Sequence, residues 1–172
     1  MAEKFFYLVE GENEKVFVDC LKSRFKIIEP GKSRVFNVLL KKISPAILSN
    51  ISPKTNVVLI FDTDVDNNLV IFKENIKKLE KSKNVKNIVC IPQCKNFEDE
   101  IVRSTCIKNI LEFFPSNSKS EFKKKFNSST DEFLESKLKS NKFNILFLWN
   151  QSPIGIYSGI KNDFEKIKLK CI

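Results

Sequence analysis

The chain has 172 residues, carries 30 Lys and Arg against 21 Asp and Glu, is 42% hydrophobic, and contains no histidine. This length and apolar fraction suit one domain with a real core, and they exclude a disordered or fibrous chain. Without histidine, Ser-His-Asp catalysis, Cys-His catalysis and His-ligated zinc are excluded, so any chemistry must come from carboxylates, lysines, cysteines or a bound ion.

The net charge of +9 indicates a polyanionic partner, most simply nucleic acid, although the Lys and Asn content of an AT-rich genome is an alternative source of that charge. Five cysteines without a CxxC pair predict reduced thiols, not a disulfide framework or a zinc site. Met1-Ala2-Glu3-Lys4 does not begin a signal peptide, and no apolar run approaches a membrane span. We therefore expect a cytoplasmic protein without a membrane-embedded part.

The first third of the chain predicts two strands and two helices. Phe5–Val9 is a short apolar run, typical of a strand buried on both faces. Glu12–Phe25 follows the rhythm of an amphipathic helix. Val35–Val38 predicts a second strand, and Leu39–Ile51 predicts a helix broken near Ser44-Pro45.

The middle third contains the clearest strand, Asn56–Phe61, which is apolar from Val57 onward. A helix over Leu69–Lys81 and a buried strand over Val85–Ile91 are predicted next. A long helical pattern then extends from Phe97 to Phe114 and is stopped by Pro115.

The last third is more polar. Ser116–Thr130 predicts a loop or an exposed helix, and Asp131–Leu138 predicts a short helix. Asn144–Trp149 predicts an apolar strand or core segment, and Asp163–Ile172 an amphipathic helix. Since neither a repeat nor a domain boundary is evident, we predict one domain over residues 1–172, with a core of about 1–114 and an extension over 115–172.

Alternating strands and helices predict βαβ units, and therefore an α/β, Rossmann-like fold with a mainly parallel sheet flanked by helices. Ligands of such sheets bind beyond the carboxyl ends of the strands. Glu10, Asp62 and Asp64 all follow predicted strands. We therefore expect these carboxylates to meet at one edge of the sheet.

The Asp62-Thr63-Asp64 segment places two carboxylates where they repel each other unless a cation lies between them. Mg²⁺ suits such a pair, although a solvated turn after the strand is the simpler alternative. In Glu10-Gly11-Glu12-Asn13-Glu14, Gly11 permits a tight or left-handed turn and Glu14 lies one turn into the helix. Acidic residues also favour the start of a helix without any ligand, but that explains Glu10 less well, since it ends a buried strand.

A third acidic element, Lys95-Asn96-Phe97-Glu98-Asp99-Glu100, follows the strand that ends at Ile91. Glu98 is a candidate for a further metal ligand or for orienting a water molecule. The alternative is an acidic first helical turn. Asp99 and Glu100 are expected to face solvent.

The segments Tyr7–Glu14 and Leu59–Asp64 together resemble the two motifs of the Toprim fold, a Glu-Gly after the first strand and an Asp-x-Asp after a later one. Glu14 and the Phe97-Glu98 pair make the chain more similar to OLD-type nucleases and small RloB-like proteins than to primases. Primases usually place Gly after Asp-x-Asp, whereas this chain has residues 65–68, Val-Asp-Asn-Asn. The ATPase domain that OLD-type proteins often carry is absent from this sequence.

The resemblance implies a nuclease that hydrolyses phosphodiesters with Mg²⁺ or Mn²⁺, and it suggests a role in phage defence. The implied metal ligands are Glu10, Glu14, Asp62, Asp64 and Glu98, and the implied catalytic residues are Glu10, Asp62, Asp64 and Lys95. Lys123, Lys124 and Lys125 would hold the nucleic-acid backbone, unless this run is only a solvated face. A domain of this size would act as a homo-oligomer or with a separate ATPase or other partner protein.

Two other functions stay open. One is a non-catalytic nucleic-acid-binding module that works with a partner protein and uses its acidic cluster for a structural ion. The other is a phosphate-handling domain, such as a receiver or a phosphatase, in which Asp62 accepts a phosphoryl group. A receiver places its acidic pair after the first strand, where this chain has Glu10-Gly11, so this alternative is the weaker one.

Overall fold

A computed structural model describes residues 3–64 and 69–169, and all structural statements concern those residues. Its sheet contains β1 (Lys4–Val9), β2 (Gly31–Val35), β3 (Thr55–Asp62) and β4 (Val85–Gln93), in the order β2-β1-β3-β4. All three neighbouring pairs are parallel.

Seven α-helices accompany the sheet in the described ranges: α1 (Glu12–Cys20), α2 (Pro45–Leu48), α3 (Val70–Glu80), α4 (Phe97–Arg103), α5 (Ile110–Phe113), α6 (Lys119–Asn127) and α7 (Asp131–Ser140). A π-helical turn, Leu21–Phe25, continues α1. Short 3-10 turns cover Gly155–Tyr157 and Phe164–Lys166. The prediction of an α/β fold with a parallel sheet flanked by helices is confirmed.

The helices lie on both faces of the sheet because alternate residues of β1 and β3 point in opposite directions. Tyr7, Val9 and Ile60 belong to the core shared with α1, α4, α5, α6 and α7. Leu8 and Leu59 belong to the core shared with α2 and α3. This burial on both faces explains why the strands appear in the sequence as continuous apolar runs.

The extension completes the first of these cores. Most of its buried apolar residues belong to the same cluster as Tyr7 of β1 and Phe17 of α1, namely Phe122, Phe126, Leu134, Leu138, Leu148, Trp149, Phe164 and Ile167. Buried Tyr157 belongs instead to the core shared with α2 and α3. Ring contacts join the extension to the rest of the chain, with centroids 5.2 Å apart for Phe97–Phe126 and 6.2 Å apart for Phe17–Trp149.

The prediction for residues 35–51 is wrong in two places. β2 ends at Val35, because Asn37 starts a turn in which its side-chain oxygen accepts the N–H groups of Leu39 and Leu40. Helix is formed only over Pro45–Leu48. The side chain of buried Asn75 holds the loop that precedes α2 by hydrogen bonds with Val38 O, Lys41 O and Ile43 N–H.

The predicted helix from Phe97 to Phe114 is interrupted between α4 and α5. The interruption follows from pairing with the extension, since Cys106 N–H donates to Asn141 O and Asn144 N–H donates to Ser104 O. Residues 144–149 form turns, not a strand, with Leu148 and Trp149 in the core. Of the predicted C-terminal helix only the 3-10 turn is formed, and residues 170–172 lie outside the described residues.

Within residues 116–130, Lys119–Asn127 forms α6, a helix with an exposed lysine-rich face that buries Phe122 and Phe126. None of the helices in the described ranges is both long enough and apolar enough to cross a membrane.

Candidate metal centre

The two acidic motifs meet at the point where the strand order reverses. From β1 the chain first adds β2 on one side and then β3 on the other, so the ends of β1 and β3 flank the crevice that open α/β sheets use for ligands. Glu10 directly follows β1, and Asp62 ends β3. The Asp62 N–H donates to Oε2 of Glu10 at 3.0 Å, so the two motifs are in direct contact.

Glu10 is held by a second hydrogen bond. Its Oε1 accepts from the side-chain amide of Asn37 at 2.7 Å. Burial raises the pKa of Glu10, the hydrogen bonds from Asp62 and Asn37 oppose that rise, and the Asp64 carboxylate adds to it. Asn37 was missed in the sequence because β2 was predicted to extend past it, and a polar residue just after a strand was the only available signal.

Gly11 places Glu14 beside Glu10, but it does so without a left-handed turn. Its backbone is extended, with φ −140° and ψ 178°, so of the tight or left-handed turn that glycine permits, the left-handed form is not used. A Cβ at Gly11 would lie 2.8 Å from Oε2 of Glu14, so glycine leaves room for that carboxylate. Burial, followed by the nearby Glu10 and Glu98 carboxylates, raises the pKa of Glu14 to about 7.

Asp62 has the most perturbed carboxyl group of this cluster. Burial raises its pKa to about 9, and the carboxylates of Glu14, Glu10, Asp64 and Glu98 add to the rise. Its Oδ1 atom is buried without a hydrogen-bond partner in the described part of the chain. Leaving a buried polar atom unpaired costs about 1–3 kcal/mol, more for a charged group.

Two buried amides nearby are also incompletely paired. Gln93 pairs in register with Asp62 on the neighbouring strand and is fully buried, yet neither its side-chain oxygen nor its nitrogen has a partner among the described residues. The Nδ2 atom of buried Asn13 also has no hydrogen-bond partner among the described residues. Unpaired polar atoms of this kind are usually explained by ordered water or an ion.

Glu98 enters from the other side of the crevice, at the start of α4. Asn96 caps that helix by accepting the Asp99 N–H at 3.1 Å, which places Glu98 in the first turn. Glu98 is 6% exposed. Its Oε1 lies 3.0 Å from Nζ of Lys123 on α6, so a lysine of the extension faces the acidic cluster.

These groups surround a cleft of about 350 Å³. Its charged and amide lining includes Glu10, Asn13, Glu14, Asp62, Glu98 and Lys123. The structure therefore brings together four of the five predicted metal ligands.

The other predicted site residues lie outside the cleft. Asp64 is exposed and accepts a hydrogen bond from the Asn96 amide at 3.5 Å, and its charge acts on Glu10 and Asp62. Lys95 is exposed, with a left-handed φ of 69°, and its backbone pairs with Thr63. Lys124 is exposed, and Lys125 binds Glu121 and the Pro115 carbonyl.

The carboxylates fit Mg²⁺ or Mn²⁺ by donor chemistry, because these hard ions prefer oxygen ligands and the buried Oδ1 atom of Asp62 has no hydrogen-bond partner among the described residues. Within residues 3–64 and 69–169, however, no three acidic or cysteine side chains already converge as a ligand set. Two carboxylates are engaged elsewhere, Glu10 with Asn37 and the Asp62 N–H, and Glu98 with Lys123.

Compared with protein-family models, curated proteins and solved structures, the chain shows no significant match. The Toprim resemblance therefore stays a prediction.

Proposed function

We propose that this chain is a Mg²⁺- or Mn²⁺-dependent nuclease of the Toprim type, most similar to the OLD-type and RloB-like proteins. The observation that carries the proposal is the position of Asp62. It is joined to Glu10 at the strand-order reversal, and its buried Oδ1 lacks a hydrogen-bond partner among the described residues.

Electrostatics support a divalent ion at this position. Glu10, Glu14 and Glu98 each add to the rise in the pKa of Asp62, so the cluster is costly to ionise as it stands. A divalent cation would offset this repulsion. Mg²⁺ in particular takes few carboxylates and keeps water molecules and coordination sites for substrate phosphate.

A bound ion would supply polarisation of the phosphate and a water of lowered pKa. The chain's own residues would position these groups. Asn37 and the Asp62 N–H fix the Glu10 carboxylate, and Glu98 closes the opposite side of the cleft. Among the predicted lysines, Lys123 lines the cleft and Lys95 does not, so we assign to Lys123 the role of meeting the phosphate.

The basic surface is consistent with nucleic acid as the substrate. The net charge is +9, and Lys124 is exposed on the same helix as Lys123. Lysines of this kind bind phosphates through sequence-independent attraction that weakens with salt.

The test is cleavage of single- and double-stranded DNA and RNA in Mg²⁺, Mn²⁺ and EDTA. The proteins are the wild type, Glu10→Gln, Asp62→Asn and, as a matched control, Glu80→Gln, which removes an exposed carboxylate at the end of α3. We expect metal-dependent cleavage that both site variants lower at least a hundredfold and that the control retains.

Binding without cleavage, equal in all four proteins, would contradict the nuclease and favour a nucleic-acid-binding module acting with a partner protein. A covalent phosphoryl group on Asp62, detected by mass spectrometry after incubation with acetyl phosphate, would instead favour the phosphoacceptor alternative.

A further inference from the structure

The ion pair between Lys123 and Glu98 differs from the other ion pairs in the described part of the chain. Its carboxylate side chain is 8% exposed and its lysine side chain 55% exposed, and the two residues are 25 positions apart in the sequence, on α4 and α6. The Glu100–Arg103 pair is also buried, but it lies within one helix. Lys123 thus extends from the surface onto a buried carboxylate that lines the cleft.

The charge of Lys123 acts on the whole cluster. The groups that face its ammonium are the carboxylates of Glu10, Glu14, Asp62 and Glu98. Among the described residues that line the cleft, Lys123 supplies the positive charge. Its ammonium therefore partly neutralises these acids in the protein as the structure shows it.

The side chain of Lys123 can leave without moving its helix. Phe122 and Phe126 anchor α6 through ring contacts with Phe113 and Phe97, with centroids 6.3 Å and 5.2 Å apart. The lysine itself is half exposed on a flexible four-carbon chain. Its ammonium can exchange contact with Glu98 for contact with solvent or phosphate while the helix stays in place.

We propose that Lys123 is the built-in counter-ion of this cleft and that a divalent ion and the Lys123 ammonium replace each other on the carboxylates. When the ion binds, Glu98 exchanges its ion pair with Lys123 for coordination of the metal. The Lys123 ammonium is then free to contact a substrate phosphate. This inference rests on the proposed metal site. It gives the extension a function in the site, since α6 supplies the competing cation.

The experiment measures Mn²⁺ affinity by isothermal titration calorimetry. It compares the wild type with Lys123→Gln, Lys123→Arg and Lys119→Gln. Lys119→Gln is the matched control, because Lys119 is exposed one turn earlier on the same helix. Lys123→Arg keeps the charge and shows whether the side chain is needed as a cation.

We expect Lys123→Gln to bind Mn²⁺ about tenfold more tightly than the wild type, because removing a nearby positive charge favours a competing cation. Lys123→Arg and Lys119→Gln are expected to stay within about threefold of the wild type. A merely structural role for Lys123 would weaken binding on mutation, so tighter binding separates the two explanations.

Equal affinity in all four proteins, or weaker binding by Lys123→Gln, would overturn the exchange and leave the metal site intact. Equal tightening by Lys119→Gln would also overturn it, since net charge would then be the cause. Absence of Mn²⁺ binding by every protein would overturn both the exchange and the proposed metal-dependent function.

Discussion

The raised pKa of Asp62 makes the free energy of unfolding depend on pH. An Asp carboxyl in an unfolded chain has a pKa near 4. In the folded protein, burial and neighbouring carboxylates raise the pKa of Asp62 to about 9. Between these values the folded state holds a proton that the unfolded state has released. The free energy of unfolding therefore falls as the pH rises from about 4 to 9.

We predict that Asp62→Asn raises the free energy of unfolding at pH 8 in EDTA by about 4–5 kcal/mol, because the wild-type carboxyl, with a folded-state pKa of about 9, must take up a proton on folding. The gain should largely disappear at pH 4, where the carboxyl of the unfolded chain is also becoming protonated, so that folding takes up little extra proton. Urea unfolding across this pH range measures the effect, with Glu80→Gln as control. A loss of stability in Asp62→Asn at pH 8 would contradict the buried carboxylate cluster.

Asn37 gives a second prediction, since it holds Glu10 from outside the cleft. Asn37→Ser removes the amide donor and keeps a side-chain oxygen for the turn at Leu39 and Leu40. Residues that orient metal ligands typically affect metal affinity by about 10- to 100-fold. We expect Asn37→Ser to weaken Mn²⁺ binding by about tenfold in a calorimetric titration. Its control is Asn50→Ser, at an exposed amide that donates to Ala46 O, and equal affinity in both variants would refute the role of Asn37.

Glu10, Glu14, Asp62 and Glu98 could be selected from the sequence because each lies at the carboxyl end of a strand or in the helical turn that follows. Lys123 could be selected only as one of three similar lysines. The burial of Phe122 and Phe126 orients α6 so that Lys123 faces the cleft while Lys124 remains exposed. That orientation depends on packing between distant segments, which a local pattern does not contain.

At the level of elements, α4 connects the sheet edge to the extension through Glu100. The sequence predicted a solvent-facing Glu100, but this side chain is fully buried. It accepts the N–H groups of Cys94 and Trp149 at 2.9 Å and 3.0 Å and pairs with Arg103 at 2.6 Å. The prediction failed because Trp149, 49 residues away, supplies one of these donors.

We predict that Glu100→Ala lowers the free energy of unfolding by about 3–5 kcal/mol, because it leaves the Arg103 charge and two buried N–H groups without their partner. Asp99→Ala removes the adjacent carboxylate of the same first turn and should cost less than about 1 kcal/mol. Chemical unfolding of both variants provides the comparison. Similar losses would show that the network around Glu100 does not join the extension to the core.

The strands β1, β3 and β4 were predictable because both faces of each are largely covered, which leaves a continuous apolar run. Helix ends were less predictable. The apolar positions from Phe97 to Phe114 follow a helical pattern, and the pairing of residues 104–106 with 141–144 interrupts the helix. Such pairing overrides local helical preference, and the local sign of the new helix start is Asn109, whose side chain caps α5 by accepting the Leu111 N–H.

For the molecule as a whole, residues 115–169 are part of the core and not an appendage. Phe126 packs against Phe97, and Trp149 packs against Phe17. Removing the extension would therefore expose Phe97 and Phe17 to water. We predict that a fragment of residues 1–114 shows no cooperative thermal unfolding, because its apolar core would be open to water. Circular dichroism on heating checks this. A cooperative transition close to that of the full chain would contradict it.

The central claim, a divalent-ion site where β1 and β3 end, is tested most directly by titrating Mn²⁺ into ¹⁵N-labelled protein and following amide resonances by NMR. We predict that paramagnetic broadening begins at the amides of Gly11, Thr63 and Glu98. It should spare Lys54 and Lys83, which lie at the opposite ends of the strands, roughly 25 Å away at about 3.3 Å per residue. It should also be lost in Asp62→Asn. Broadening that is absent, is centred elsewhere, or is unchanged in that variant would contradict the site.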